Sequence, residues 1–417
     1  MKDLCATVDG ARLMDRLEAL GQIGRQPETG GITRLAFSEN ERRAKRLVAG
    51  WLEEIGATVV EDAVGNLIGR VEGEENQAPA ILIGSHLDTV VDGGMFDGAL
   101  GVVAGVEALT AMKERGIRTR HPIEVIAFTD EEGARFGAGM LGSRAFVGMI
   151  SRKELEHADA EGWTIAEAMR AYGLDPERLE SARRAPASIR AYLELHIEQG
   201  KVLENEGLPV GVVTAIAGPL WLHVKVQGEA GHAGTTPMRL RRDPLAAAAA
   251  MIAFLDAEAR RRDEVVATVG KIEALPGGVN VIPHTVEFTV DLRAIDEAVR
   301  DAVEQTLRQE METIAAKRGV SVSIREGHRL KPVALDPAVS RVIRQAVDSL
   351  GIRPFHLPSG AGHDAMQLAQ FVPTGMIFVR SRGGISHRPD EWSDPEDCRL
   401  GAEVLLRSVL WLDRPGL

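Results

Sequence analysis

Histidines and acidic residues follow several apolar segments of this sequence, and their types are those that bind divalent metals. His86 and Asp88 come directly after the apolar run at residues 80–84, and Asp97 follows beyond a glycine pair. Glu131 and Glu132 follow a second apolar run, at residues 122–128. Imidazole and carboxylate groups at this density suit a borderline divalent ion such as Zn²⁺ or Mn²⁺.

Two further histidines stand in comparable places. His196 ends a third apolar run, at residues 189–195, and His387 lies in a glycine-bearing loop. A single histidine at a strand end is more often an ordinary hydrogen-bonded residue than a ligand, so the prediction rests on the whole set. Three histidines and two carboxylates, one of them bridging, permit two ions about 3.5–4 Å apart.

The spacing also predicts supporting roles. Asp88 lies two residues after His86, and we expect its carboxylate to accept the ring N–H of that histidine and fix its tautomer. The adjacent Glu131 and Glu132 cannot easily both face one ion. One of them is therefore expected to ligate, while the other acts as a general base toward the attacking water.

Alternating β and α segments predict an α/β fold in which a mixed sheet is flanked by helices. Ligands of such open sheets bind at the carboxyl ends of the strands. From about Gly218 the pattern changes to β-α-β-β-α-β, which predicts an inserted ferredoxin-like α+β domain. We therefore expect a discontinuous catalytic domain, residues 1–213 and 330–417, and an inserted domain at residues 214–329.

The composition excludes several classes of partner. The net charge is −12, so the chain lacks the excess of positive charge with which proteins bind nucleic acid or anionic membranes. A small-molecule partner is therefore expected. No apolar run reaches the roughly 20 residues of a membrane span, and the first residues do not resemble a signal peptide. Cys5 and Cys398 are expected to be free thiols in a reducing cytoplasm.

Motifs around these residues carry a family resemblance. The segments His86–Asp88, Gly93–Gly98 and Glu131–Gly133 are similar to metal-site signatures of the M20 metallopeptidase and amidohydrolase superfamily. Further similarity is found at Gly84–Thr89, Leu193–Gly200, Gly231–Gly234 and Gly384–His387. Together they resemble the hydantoinase/carbamoylase branch, which includes N-carbamoyl-L-amino acid hydrolases, β-ureidopropionases and allantoate amidohydrolases.

The resemblance implies a ligand set and a base. It places His86, Asp97 and His196 around one divalent ion, Asp97, Glu132 and His387 around another, and makes Glu131 the base. Zn²⁺ or Mn²⁺ is expected, with Co²⁺ and Ni²⁺ as further options. Many M20 peptidases have an acidic ligand in the segment of His196, so the histidine favours the carbamoyl-cleaving branch.

Substrate contacts are implied in the same way. Gln199, His232, Asn280 and Arg293 match substrate-binding positions, with Asn280 and Arg293 for the α-carboxylate and His232 for the developing oxyanion. A planar guanidinium suits a carboxylate, although Arg293 follows Asp291 closely enough to form a surface ion pair instead. Gly362 and His363 lie in a turn that either binds substrate or is merely structural.

The expected reaction is cleavage of the carbamoyl C–N bond of an N-carbamoyl-L-amino acid, giving amino acid, ammonia and carbon dioxide. Allantoate and N-carbamoyl-β-alanine are alternative substrates. A more distant alternative is an M20 aminoacylase or dipeptidase, and a non-enzymatic carboxylate-binding protein is another. The resemblance also implies a homodimer that pairs through the inserted domain, which acts as a lid, with His232 serving its own site or that of the partner.

Overall fold

The structure is a computed structural model that describes residues 7–414. Cys5 therefore lies outside the described residues, whereas Cys398 is a buried free thiol. The chain divides into two compact units. Residues up to Thr214 and from Leu335 onward form the first unit, and Ala215–Ala334 form the second.

The strands and helices are numbered in chain order. The strands are β1 Thr58–Glu61, β2 Leu67–Val71, β3 Ala80–His86, β4 Ile123–Phe128, β5 Ile189–Ile197, β6 Val210–Ile216, β7 Gly218–Gln227, β8 Gly231–His232, β9 Val265–Thr268, β10 Ile272–Leu275, β11 Val281–Ile282, β12 Thr285–Ala294, β13 Ser321–Arg329, β14 Val333–Ala334, β15 His356–Ser359 and β16 Thr374–Val379. The α-helices are α1 Gly10–Gly21, α2 Glu39–Glu54, α3 Ala99–Glu114, α4 Leu141–Phe146, α5 Ile165–Tyr172, α6 Val202–Glu206, α7 Pro244–Ala259, α8 Glu297–Arg318, α9 Pro337–Ser349, α10 Asp364–Leu368 and α11 Pro395–Leu412. Short 3₁₀ helices cover Arg152–Glu156, Pro176–Ala182, Pro186–Ser188, Met238–Leu240 and Arg382–Gly384.

The first unit is built on a mixed sheet. Its strand order is β1-β2-β4-β3-β5-β16-β6, with β15 also paired to β6 and β14 paired to the last residues of β6. The four central strands β4, β3, β5 and β16 are parallel, and β2 and β6 flank them antiparallel. Parallel strands are buried on both faces, which explains their nearly continuous apolar sequences. Their carboxyl ends consequently share one edge.

Helix α3 packs directly behind this edge. It is apolar around most of its circumference apart from Glu107, which pairs with Arg12 and Arg16, and most of its residues are buried against β3, α1 and α11. A helix that is hydrophobic all round belongs inside a core, and α3 lies in the largest apolar cluster of the chain. Because α3 starts at Ala99, the core holds the preceding residue pair Asp97 and Gly98 at the sheet edge.

The second unit is an antiparallel sheet with helices on one face. Its strand order is β10-β12-β7-β13, and β9 also pairs with β12. Apolar residues of β7 and β12 face α7 and α8, while the alternate residues are mostly exposed in β7 and mostly half-buried in β12. This is the strand order of a ferredoxin-like layer.

One predicted strand of this unit is interrupted. The β-α-β-β-α-β pattern predicts one continuous strand after the first helix of this unit, but two strands lie there, because β9 ends at Thr268 and β10 begins at Ile272. Three residues, 269–271, oppose only two residues of β12, so the extra residue forms a bulge between β9 and β10.

Among residues 7–414, none of the helices combines the length and hydropathy that a bilayer span requires.

Candidate metal centre

The strand ends of the first unit bring the predicted ligands together. His86 is the last residue of β3, and His196 is the penultimate residue of β5. The loop after β4 carries Glu131 and Glu132, and the turn before α3 carries Asp97. His387 follows β16 in a loop of its own.

Asp97 lies at the centre of this group. Its Oδ1 is 3.6 Å from His86 Nε2 and 3.1 Å from His196 Nε2. Its Oδ2 is 3.3 Å from His387 Nε2, which is 3.6 Å from Glu132 Oε2. Two three-residue groups therefore share Asp97, one completed by His86 and His196 and the other by Glu132 and His387.

These spacings are those of atoms that bind a common ion. A tetrahedral ion with ligand bonds of about 2.0–2.2 Å keeps its ligand atoms roughly 3.3–3.6 Å apart. The distances around Asp97 fall on or close to that range. The residues therefore fit divalent metal binding, which agrees with the composition of the group.

The imidazoles are oriented for ligation through Nε2. His86 Nδ1 lies 3.1 Å from the main-chain oxygen of Asp88, and His196 Nδ1 lies 2.9 Å from that of Ile197. A main-chain carbonyl can only accept, so each Nδ1 carries a proton and Nε2 is the nitrogen left to bind an ion, after loss of any proton that it holds. The buried Nε2 of His196 makes no hydrogen bond within the described chain.

The raised pKa values of two carboxyl groups in this cluster also favour the binding of a cation. Burial raises the pKa of Glu131 well above its usual value, and the carboxylates of Asp364 and Glu132 raise it further. Burial likewise raises the pKa of Glu132 well above normal, with Asp97 adding to the effect. Such crowded, desolvated carboxylates are neutralised by a bound divalent ion.

The pKa values of the two buried histidines of this group shift in opposite directions, depending on their neighbours. Burial lowers the pKa of His86 to about 4, so this ring is neutral at pH 7. Burial disfavours ionisation of Asp97, but the imidazoles of His196 and His387 outweigh it and hold the pKa of Asp97 well below normal. For His196, the Asp97 carboxylate outweighs burial and raises the pKa to about 9.

Asp88 does not make the contact that its spacing suggested. Its carboxylate oxygen is 3.7 Å from His86 Nδ1, which instead hydrogen-bonds the main-chain oxygen of Asp88. The carboxylate accepts the main-chain N–H groups of Glu131 and Glu132, each at 3.1 Å. Asp88 thus fixes the tautomer of His86 through its backbone and positions the two glutamates through its side chain.

Glu131 belongs to neither three-residue group. Its Oε2 lies 3.8 Å from His86 Nε2, and the side chain is buried. A carboxyl group beside the ligands but outside both groups has the placement that a general base requires.

Gln199 touches the same centre. Its Nε2 donates to Asp97 Oδ2 at 2.8 Å and lies 3.3 Å from His387 Nε2. Its backbone has φ 57°, and the backbone of His387 has φ 58°. Left-handed conformations of non-glycine residues are costly and concentrate at functional sites.

His363 is a buried neighbour of the centre. Its ring lies edge-on to His196 with centroids 4.4 Å apart, and its Nε2 is 2.8 Å from Ser359 Oγ. His363 also forms a third candidate group with Glu194 and His196. The two Glu194 oxygens accept hydrogen bonds from Ser85 Oγ and from the main-chain N–H of Ala365. The neighbouring Gly362 packs closely against Met140, since a Cβ added at residue 362 would lie only 2.5 Å from the terminal methyl of Met140.

Two predicted substrate residues are brought together in the second unit. The β8–β11 ribbon pairs His232 with Val281, and the main-chain oxygen of Asn280 accepts the N–H of Ala233. His232 Nδ1 accepts the N–H groups of Gly234 and Thr235 at 3.1 and 3.3 Å. The exposed ring therefore carries its proton on Nε2, where it can be donated to a ligand.

Arg293, also in the second unit, forms the ion pair that the sequence left open. Its Nε and Nη2 contact the Asp291 carboxylate at 3.0 and 2.7 Å. Both side chains are partly exposed, so the pair by itself contributes little to stability.

Sequence reasoning missed the residues that tie these loops together. Glu391 is buried and contacts the loops of both Asp97 and His387, and Ser386 lies 3.0 Å from Asp97 Oδ2. The only sequence signal is that both residues lie within four positions of His387.

Comparisons with known proteins agree with this geometry. Residues 82–411 match the model of peptidase family M20/M25/M40. The chain is 54% identical to an N-carbamoyl-L-amino acid amidohydrolase of Geobacillus stearothermophilus, over 96% of this chain and 98% of the relative. It is 41% identical to allantoate deiminase 2 of Glycine max, over 90% of this chain and 84% of that protein.

A solved structure shares the whole architecture. The amidase of the hydantoinase/carbamoylase family from Burkholderia multivorans is 38% identical, with a TM-score of 0.92 and 98% of each chain covered. Because sequence and fold agree along nearly the full length, the chain belongs to peptidase family M20/M25/M40 and, within it, to the hydantoinase/carbamoylase amidases.

Proposed function

We propose that this protein is a metal-dependent amidohydrolase that cleaves the carbamoyl C–N bond of an N-carbamoyl-L-amino acid. The observation that carries the proposal is the convergence of three imidazoles and two carboxylates at ligand spacing, with Glu131 beside them. The similarity to an N-carbamoyl-L-amino acid amidohydrolase supports the substrate class.

The proposed centre holds two ions. His86, Asp97 and His196 hold one, and Asp97, Glu132 and His387 hold the other, with Zn²⁺ or Mn²⁺ as the expected metals and Co²⁺ or Ni²⁺ as alternatives. Ions bound there supply Lewis-acid polarisation of the carbonyl oxygen and acidify a water molecule.

The protein side chains supply the proton transfers and the binding contacts. Glu131 takes a proton from water as the water oxygen attacks the carbamoyl carbon, and returns it to the leaving nitrogen. His232 donates its Nε2 proton to the developing oxyanion. The reaction consumes one water and releases amino acid, ammonia and carbon dioxide. The substrate is bound by Gln199, Asn280, Arg293 and the Gly362–His363 turn, with Asn280 and Arg293 donating to its α-carboxylate.

The two units have separate roles in this proposal. The first is the catalytic unit, and the second is a lid that pairs two copies into a homodimer. We also propose a cytoplasmic location, since the chain has only two cysteines and a reducing compartment keeps such thiols free.

An ammonia-release assay tests the proposal. Protein reconstituted with Zn²⁺, Mn²⁺, Co²⁺ or Ni²⁺ is offered N-carbamoyl-L-amino acids, allantoate and N-carbamoyl-β-alanine, with N-acetyl amino acids and dipeptides assayed by amine release. We expect the N-carbamoyl-L-amino acids to react fastest. Faster hydrolysis of acyl or peptide substrates would contradict the proposal, as would no ammonia from any ureido acid.

Allantoate is the second candidate substrate. The 41% identity to an allantoate deiminase favours it, and allantoate also combines a carboxylate with ureido groups. The same assay distinguishes the two candidates by their ratio of kcat/KM.

A further inference from the structure

One buried carboxylate, that of Glu391, joins two loops that carry proposed ligands. Its Oε1 accepts the main-chain N–H groups of Phe96 and Asp97, both at 3.1 Å. Its Oε2 lies 2.9 Å from Ser386 Oγ and 3.3 Å from the N–H of His387. Asp97 and Glu391 are 294 residues apart in the sequence, so this side chain connects distant segments.

The surrounding structure is shaped to admit this carboxylate. Glu391 is 3% exposed, and a Cβ at Gly94 would lie 2.2 Å from its Oε1. A buried carboxylate is costly unless donors surround it, and here both oxygens have donors in contact.

The contacts of Glu391 act on atoms that determine ligand geometry. His387 has a left-handed backbone with φ 58°, and its N–H points to Glu391 Oε2. Asp97 receives a hydrogen bond from Ser386 Oγ at 3.0 Å, and that hydroxyl also reaches Glu391. A single hydroxyl proton serves only one of these oxygens at a time, so Glu391 and Asp97 share Ser386.

We infer that Glu391 is a positioning residue that holds Asp97 and His387 at the spacing required by the ion of Asp97, Glu132 and His387. The inference rests on the proposed two-ion function and deepens it. Glu391 itself is not a ligand. It acts through the backbones of two segments that carry ligands, and such outer contacts tune metal affinity by about 10–100-fold.

The variant Glu391→Gln separates this role from simple packing. The amide keeps the shape of the side chain but replaces one accepting oxygen with a donor. In one orientation the donor faces the N–H of His387, and in the other it faces those of Phe96 and Asp97. Either way, one ligand segment loses its acceptor.

Metal content is the primary measurement. Zinc-loaded wild type and Glu391→Gln are passed through gel filtration, zinc per chain is measured by mass spectrometry, and the affinity of the weaker ion by competition with a chromophoric chelator. We expect about two ions in wild type and about one in the variant, with the Kd of the weaker ion raised about 10–100-fold. Excess zinc should restore the second ion, which a merely misfolded variant would not allow.

Glu403→Gln is the matched control. Glu403 is also a buried carboxylate that accepts a main-chain N–H, that of Val8 at 2.9 Å, but it contacts no ligand segment. This variant should keep both ions. If Glu391→Gln does not fold, Glu391→Asp, which retains the charge but is too short to reach both loops, should show the same selective loss.

The outcomes distinguish the inference from the function on which it rests. Wild type with two ions and a folded Glu391→Gln with two ions at unchanged Kd would overturn only the inference. Wild type with a single ion would overturn the two-ion proposal and the inference together. If neither Glu391 variant folds, Glu391 serves the fold rather than the ion, and the inference is again overturned.

Discussion

Asp97 is the residue on which both candidate ion sites depend, because each of its oxygens faces a different set of imidazoles. The acids of the loop after β4 have different placements. Glu132 completes one group of ligands, whereas Glu131 stands beside His86 and belongs to none. The main-chain N–H groups of both glutamates donate to the Asp88 carboxylate, so the two residues differ only in where their side chains lie.

Substitution of the two glutamates should therefore have different effects. Glu131→Gln is expected to keep the metal content of wild type and to lose about 10²–10⁴ in kcat, because the amide cannot accept the proton of water. Glu132→Gln, one residue away, should lose metal instead. Zinc per chain and kcat are measured for both. Retained activity in Glu131→Gln would remove this residue from its proposed role.

A second residue-scale prediction concerns Asp62, outside the metal centre. Burial raises the pKa of Asp62 to about 6 in the folded protein, although Val64 and Asn66 donate to it. The folded pKa lies above the unfolded value of about 3.9, so the folded state binds this proton more tightly. The resulting stability is fully present below about pH 4 and is lost as the pH rises through about 6.

Urea unfolding of wild type and Asp62→Asn checks this sign. Asp62→Asn removes the titration, so its stability relative to wild type should rise by about 1 kcal/mol between pH 5 and pH 7.5. The variant also alters the contact with Asn66 Nδ2, and this adds an offset in stability that is the same at every pH. A relative stability that falls or stays flat over this range would contradict the prediction.

At the scale of elements, the strand ends of the parallel sheet were predictable and the links between loops were not. Apolar runs that are followed closely by His86, Glu131 and His196 indicate strands whose carboxyl ends meet. The contacts of Glu391 require two loops nearly three hundred positions apart to be adjacent, which no local pattern encodes. The prediction that the Asp88 carboxylate accepts the His86 ring N–H was wrong, because the acceptor is the main-chain oxygen of Asp88. Sequence spacing cannot distinguish these two oxygens.

The break between β9 and β10 has a similar cause. A bulge depends on how many residues oppose each other across two strands, and the alternation of one strand does not contain that count. The strand order of each sheet likewise comes from pairing between distant segments.

The turn before α3 allows a prediction about an element. Gly98 has φ 62°, and a Cβ there would lie 2.4 Å from His86 Cε1 and Nδ1. Gly98→Ala should therefore displace the His86 ring and weaken metal binding at the proposed site of His86, Asp97 and His196. The zinc content after gel filtration measures this effect.

Gly116, just after α3, offers a close control. It also has φ 62°, but nothing lies within 4 Å of a Cβ placed there. Gly116→Ala should lower the free energy of unfolding by about 1–2 kcal/mol, because alanine is strained in the left-handed conformation, but its Cβ meets no other atom. It should lower stability and keep the zinc content of wild type. Equal zinc contents in the two variants would show that Gly98 is needed for the backbone conformation of the turn and not to leave space for the His86 ring.

At the scale of the molecule, negative charge is concentrated in the first unit. Asp88, Asp97 and Glu131 are buried in one cluster with the half-buried Glu132, and Asp130 and Asp364 are buried acids whose oxygens make no hydrogen bond within residues 7–414. Burial raises the pKa of Asp364 well above normal, and Glu194 adds to the effect. A bound cation should therefore contribute to the stability of this unit and not directly to that of the second.

Removal of metal tests this division. Chelation should lower the melting temperature by several degrees, because an ion present at 100 times its Kd stabilises the folded state by about 2.7 kcal/mol. Hydrogen exchange should rise at the carboxyl ends of β3, β4 and β5, while β7, β12 and β13 keep their protection. Addition of Zn²⁺ or Mn²⁺ should reverse both changes. Equal loss of protection in the two units would mean that the metal stabilises the chain as a whole, and no loss in either would mean that the carboxylate cluster is stable without a cation.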